Sequence, residues 1–174
     1  MRRTVNEVFV PITVGGGIRS VDDAREILSN GADKVAVNTA AIWRPELISE
    51  IAHKFGSQCL VLSVHAKRNN TGGWEALVDY GREHTNRDVI DWIKQGVSFG
   101  AGEVLLTSVD RDGTLQGFDI DLLKRVTIVY GFFYSRIRKV KPLLKAKNSQ
   151  HSSAININIK GNSVSIIHRS GDRR

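Results

Sequence analysis

The chain of 174 residues holds a single cysteine, a single methionine and three prolines. One thiol, Cys59, excludes an internal disulfide and a thiolate metal cluster. It falls in an apolar run that reads as a strand, so a packed, inert thiol is expected. No apolar run is long enough to cross a membrane, and the start Met1-Arg2-Arg3-Thr4 is not followed by the apolar region of a secretory leader. A soluble, cytoplasmic protein is expected, in which the Asn69-Asn70-Thr71 sequon carries no weight. Acidic residues are missing throughout 127–171.

That last absence locates the charge. A net charge of +7 suggests a nucleic-acid partner, but residues 1–126 sum to −2 and residues 127–174 to +9. The basic excess therefore belongs to the tail alone, and the chain has two compositional parts, 1–126 and 127–174. With 41% hydrophobic residues the chain can bury the core of one ordinary domain.

In the first part, extended and helical periods alternate. Residues 12–14, 34–38, 59–64 and 103–108 read as strands. A helix over 21–29 opens on Ser20 and Asp23 at capping-box spacing, and another runs from Pro45 to a stop at Gly56. Thr85 and Asp88 repeat the capping-box spacing before Val89, Ile90, Trp92 and Ile93, with Gly96 weakening that helix near its end. Residues 75–80 read as extended, and 109–118 as a polar loop before a further helix from Asp119. Strands separated by helices at this rhythm give a parallel sheet with right-handed crossovers. Polar and glycine-rich residues collect after the strands' carboxyl ends, where ligands bind in open sheets and barrels alike. Gly15, Gly17 and Ser20 fit a dinucleotide fingerprint only loosely, so a (β/α)8 barrel is preferred.

The turn Gly15-Gly16-Gly17 between a strand and a helix start suits close approach of an anion to bare backbone, with phosphate the natural guest. From the residues alone, a plain tight turn is an equal reading.

Several strings in one order then carry a resemblance: Thr13-Val14-Gly15-Gly16-Gly17-Ile18-Arg19, Gly31-Ala32-Asp33-Lys34-Val35, Asn38-Thr39-Ala40-Ala41, Phe55-Gly56-Ser57-Gln58, the run from Gly100 to Ser108, and Asp110-Arg111-Asp112-Gly113-Thr114. Over residues 7–126 the chain resembles the cyclase subunit of imidazole glycerol phosphate synthase, a TIM barrel of histidine biosynthesis. The resemblance implies a partial barrel of about four βα units. It implies a lyase that closes an imidazole ring from a bis-phosphorylated formimino aminoimidazole carboxamide ribonucleotide, using ammonia from a glutaminase partner. No cofactor and no metal are implied. By position, Gly15, Gly16, Gly17, Asn38 and Thr39 resemble the first phosphate site, Asp112 and Gly113 part of the second, and Thr107 a pocket wall. Asp33, Lys34 and Glu103, near strand beginnings, resemble the glutaminase-docking face and ammonia gate; without the family, a plain surface ion pair is favoured.

The chain also departs from the family. Two aspartates serve there as general acid and base. The first strand that carries one of them is missing, and His65 stands where the other is expected, an inert strand-end histidine being favoured over a proton-transfer group. Beyond Val126 the resemblance stops. Arg136, Arg138, Lys139, Lys141, Lys145 and Lys147 follow aromatic residues, and 154–159 alternates like a single strand. Three accounts of the tail compete: unrelated or out-of-frame sequence joined to a truncated barrel, a basic arm for RNA or an anionic surface, or a divergent closure of the barrel. Abrupt loss of every family feature favours the first. A fragment is then expected, with unpaired strand edges, self-association and little cyclase activity. A paralogous subunit of surface-polysaccharide synthesis, and a non-catalytic nucleic-acid binder using the tail, are the alternatives.

Overall fold

A computed structural model describes residues 11–129, 153–159 and 162–168. Expectations for the first ten residues and for the basic stretch 136–147 lie outside the described residues. The strands are β1 (Thr13–Gly15), β2 (Lys34–Val37), β3 (Leu60–Arg68), β4 (Trp74–Val78), β5 (Glu83–Asp88), β6 (Glu103–Ser108), β7 (Ser153–Ile159) and β8 (Asn162–His168). The helices are α1 (Val21–Ser29), α2 (Thr39–Trp43), α3 (Glu46–Phe55), α4 (Val89–Ser98) and α5 (Ile120–Val129).

β1, β2, β3 and β6 lie side by side in that order, all parallel. Each new strand is added to the same side of its predecessor, with no reversal of direction across the sheet. An open doubly wound sheet reverses at its switch point, whereas a barrel winds in sequence, so this order is that of a barrel segment. The four strands and their crossover helices are those the periodicity predicts.

Alternation along the strands separates a face packed against the helices from the inward face of the barrel segment. Val35 and Val37 of β2, Leu60, Leu62 and Val64 of β3, and Val104 and Leu106 of β6 are buried. They join Leu47, Ile48 and Ile51 of α3 and Ile93 of α4 in the main core. The opposite face carries Lys34, Ala36, Ser63, His65, Leu105 and Thr107, each less buried than its neighbours. α4 packs closely enough that a Cβ at Gly96 would lie 2.3 Å from Leu62 Cδ2, so Gly96 permits the approach of helix to sheet rather than only weakening the helix.

Local capping accounts for the helix starts, with one correction. Ser20 Oγ accepts the Asp23 N–H at 3.1 Å, and Asp23 Oδ2 accepts the Ser20 and Arg19 N–H groups at 2.9 and 2.8 Å. The second capping box does not form. Thr85 lies in β5, and Asp88 caps α4 alone, accepting from Ile90 and Asp91. Glu75 draws Thr85 into the strand: its Oε1 accepts the Thr85 and Asn86 N–H groups at 2.9 and 2.7 Å, where the β4–β5 pairing shifts register. Cys59 is also corrected. It sits half-buried in a 3-10 turn at 57–59, before the strand begins at Leu60.

β4 and β5 form an antiparallel extension on the distal half of β3. The alternating segment 154–159 is a single strand, as expected, and lies within β7. β7 pairs antiparallel with β8, and β8 pairs parallel with β6 from Glu103↔Ser163 to Leu106↔Ile166. The free edge expected on β6 is therefore occupied by the chain's own tail.

Candidate functional site

The inward-facing residues open, at the strands' carboxyl ends, onto a cavity of about 850 Å³. Gly15, Gly16, Gly17, Asn38, Thr39, His65, Thr107 and Asp112 line it, eight of the sequence-derived candidates in one wall. Strand register explains the convergence: Gly15 pairs with Ala36, and His65 with Thr107. Gly113, next to Asp112 and at φ 73°, is not among the lining residues. Asp33, Lys34 and Glu103 lie at the other end.

The glycine turn is built for a close approach. Gly16 and Gly17 adopt φ 99° and 74°, conformations that disfavour any side chain, and a Cβ at either would meet no atom within 4 Å. Asp23 already takes the Arg19 and Ser20 N–H groups, and those backbone bonds hold its carboxyl below the usual range. An anion would therefore meet the amides of the glycines themselves rather than the capped helix end. Arg19 also lines the cavity and adds a positive charge. Opposite, Thr39 Oγ1 accepts the Asp79 N–H at 3.3 Å, which leaves its own proton for an anion.

Asn38 plays a different part. Its Nδ2 donates toward Leu77 O at 3.4 Å and lies 3.4 Å from His65 Nδ1, and its buried Oδ1 has no partner among the described residues. Burial pushes the His65 pKa below its ordinary value, with the Asp112 carboxylate opposing. Burial thus favours the neutral imidazole at His65, one ring nitrogen donating and the other accepting, where the resemblance implies a carboxylate.

Asp112 is placed by its loop. Its N–H donates to Ser108 O at 2.8 Å, and Asp110 Oδ2 accepts the Arg68 N–H at 2.8 Å. Asp119 Oδ2 accepts from Ser108 Oγ at 3.1 Å and Trp74 Nε1 at 3.3 Å, tying the loop to β4 and to the start of α5. Thr107, one residue earlier on β6, points into the cavity as the alternation requires.

Roughly 13 Å away along the strands, the same inward face carries Lys34 and Glu103. Lys34 Nζ donates to Glu103 Oε2 at 2.5 Å across the intervening β3. Asp33 does not join them: its Oδ2 accepts the Ile12 N–H at 2.7 Å and holds the entry to β1. Arg19, Trp43, Asp79 and Tyr80 are among the cavity residues that sequence reasoning missed. Arg19 was legible beside the glycines. Asp79 and Tyr80 arrive through the β4–β5 extension, whose antiparallel fold interrupts the βα rhythm.

No helix among the described residues is long and apolar enough to cross a membrane, and no group of three or more potential metal ligands is found among them. The family model described as histidine biosynthesis protein matches residues 1–154, reaching past the boundary at Val126. An imidazole glycerol phosphate synthase subunit HisF from Legionella pneumophila is 61% identical over 127 residues, covering 73% of this chain and 60% of that protein. Its namesake in Streptococcus sanguinis (strain SK36) is 51% identical over 129 residues, covering 74% and 51% respectively. That of Gluconacetobacter diazotrophicus is 56% identical over 121 residues, covering 70% and 47%. The chain thus spans about half to three-fifths of the length of these relatives. With a partial barrel, a glycine turn at a cavity and a family match over most of its length, the chain belongs to the histidine biosynthesis protein family.

Proposed function

We propose that this chain carries the substrate cavity of an imidazole glycerol phosphate synthase cyclase subunit and takes a phosphorylated ribonucleotide there. The observation that carries the reading is one cavity joining the Gly16–Gly17 turn, Arg19 and Thr39 to His65, Thr107 and Asp112. Bare amides, a guanidinium and a hydroxyl are phosphate donors; His65 and Asp112 beyond them can exchange protons. Asp112 is an acceptor whose own N–H is bonded to Ser108 O, so at a second phosphate the loop would donate through Gly113.

The reaction proposed is ring closure by a lyase using ammonia. The ammonia comes from a glutaminase subunit docked at the strands' amino ends, where Lys34 and Glu103 form the inward-facing gate. Asp33, bonded to Ile12, shapes that face. His65 occupies the proton-transfer position with an imidazole, different in shape and reach from the carboxylate that the resemblance implies there. Binding is therefore expected to be retained and turnover by this chain alone to be very low. The basic segment within 127–174 stands outside this chemistry as a separate domain-level feature.

Calorimetric titration with ribose 5-phosphate, beside a cyclase assay supplied with ammonium salt, tests the reading. Saturable binding that Arg19→Ala weakens, with turnover that His65→Asp raises, is expected. Absence of binding would remove the proposal, and rapid turnover by the unmodified chain would overturn the role given to His65.

A further inference from the structure

Two large aromatic side chains stand exposed on the cavity wall. Trp43 is 65% and Tyr80 76% accessible, although both line the cavity. The other two tryptophans, Trp74 and Trp92, are 6% and 2% exposed and belong to the core.

The backbone presents this pair at some cost. Asp79, Tyr80 and Gly81 follow one another at φ 45°, 56° and 82°, a left-handed run that a tyrosine does not adopt without strain. The run is fastened to the phosphate side of the cavity by the Asp79 N–H bond to Thr39 Oγ1. Thr39 also opens α2, and Trp43 closes it. One residue thus anchors both aromatics to the wall where an anion would sit. The Arg82 guanidinium lies 5.8 Å from the Tyr80 ring centroid.

We propose that Trp43 and Tyr80 form a stacking rim that selects a flat nitrogen heterocycle whose ribose phosphate reaches the glycine turn. This deepens the cavity reading given above and rests on it. Ring faces are recognised by aromatic side chains irrespective of the hydrogen-bond pattern at the ring edge, whereas the glycine turn reads only the phosphate. The rim therefore distinguishes a ring-bearing ribotide from a bare sugar phosphate, a distinction the turn cannot make.

The test compares two probes on the full chain: aminoimidazole carboxamide ribotide, and ribose 5-phosphate, which lacks the ring. Calorimetry is expected to find the ribotide bound about tenfold more tightly, with Trp43→Ala and Tyr80→Ala each removing most of that preference and leaving ribose 5-phosphate affinity unchanged. Trp43→Phe and Tyr80→Phe retain a ring and should retain the preference. Fluorescence adds an independent readout, since the ribotide should quench the exposed Trp43, and Trp43→Phe should abolish that change. Equal affinity for the two probes would overturn the rim and leave the phosphate cavity standing. Binding of neither would overturn both. An alanine variant that loses both probes equally would make the aromatic a structural support and overturn the selective role. A Trp43 signal that follows protein concentration rather than ribotide would assign the rim to contact between copies, with the same consequence.

Discussion

At the carboxyl ends of β1, β2, β3 and β6, the inward face carries glycine, asparagine, histidine and threonine around an open cavity. At the amino ends, the same face carries Lys34 and Glu103 in contact at 2.5 Å. The alternation is identical at both ends, so strand geometry does not make the difference. Composition does. At the upper end, glycine conformations keep the wall open, and the amides of Gly16 and Gly17 face space with no atom within 4 Å of a Cβ there. At the lower end, opposite charges close on each other, with the Glu103 side chain 11% and that of Lys34 33% exposed. One end is arranged to receive a charged group and the other has already neutralised its own.

The strongest way to break this comparison is to disturb the amino end sterically. A Cβ at Gly102 would lie 2.1 Å from Ser57 O, a backbone atom that cannot yield cheaply. Gly102→Ala should cost about 3 kcal/mol, read from the urea midpoint, while the folded fraction binds ribose 5-phosphate as before. Altered affinity in that fraction would show that the two ends are not independent.

Gly16→Ala probes the other end. There is space for the methyl group but φ is 99°, so a penalty of about 1–2 kcal/mol is expected from conformation alone. Unlike Gly102→Ala, it should also weaken ribose 5-phosphate. Stability lost without affinity would mean that the turn is only a turn.

Much of this contrast was legible in the chain. The strand periods placed Lys34 and Glu103 at beginnings and Asn38, His65 and Thr107 at ends, because a two-residue repeat fixes both face and depth. The extended reading of 75–80 found β4, but its antiparallel partner in the extension, β5, could not be read. Thr85 and Asp88 matched a helix-capping spacing, yet Glu75, remote in sequence, draws the Thr85 and Asn86 amides into a strand. Tyr80 entered the cavity through the same extension, and no local pattern announces a left-handed tyrosine. The β8 pairing with β6 was hidden for a related reason: parallel partners are set by the sheet edge available, not by neighbouring residues.

A smaller effect is expected from Glu103→Gln. The pair is partly solvated, so loss of about 1 kcal/mol or less is predicted by chemical denaturation, with no change at the cavity. The smallest effect concerns pH. Because the folded-state pKa of His65 is lowered by burial, the unfolded chain binds the proton more readily. Stability should be full above about 6.5, the ordinary histidine value, and fall as pH drops below it. His65→Gln should flatten that part of the profile, measured as the urea midpoint against pH. A profile unchanged by the substitution would mean that His65 is not desolvated in the fold.

The most direct measurement follows the glycine amides by NMR in a chain carrying nitrogen-labelled glycine, titrated with ribose 5-phosphate. Both ends of the sheet are then observed at once. Saturating shifts at Gly16 and Gly17, with Gly100 and Gly102 unmoved, are the predicted result. Unmoved Gly16 and Gly17, or equal shifts at Gly102, would contradict the assignment of phosphate to the carboxyl-end turn.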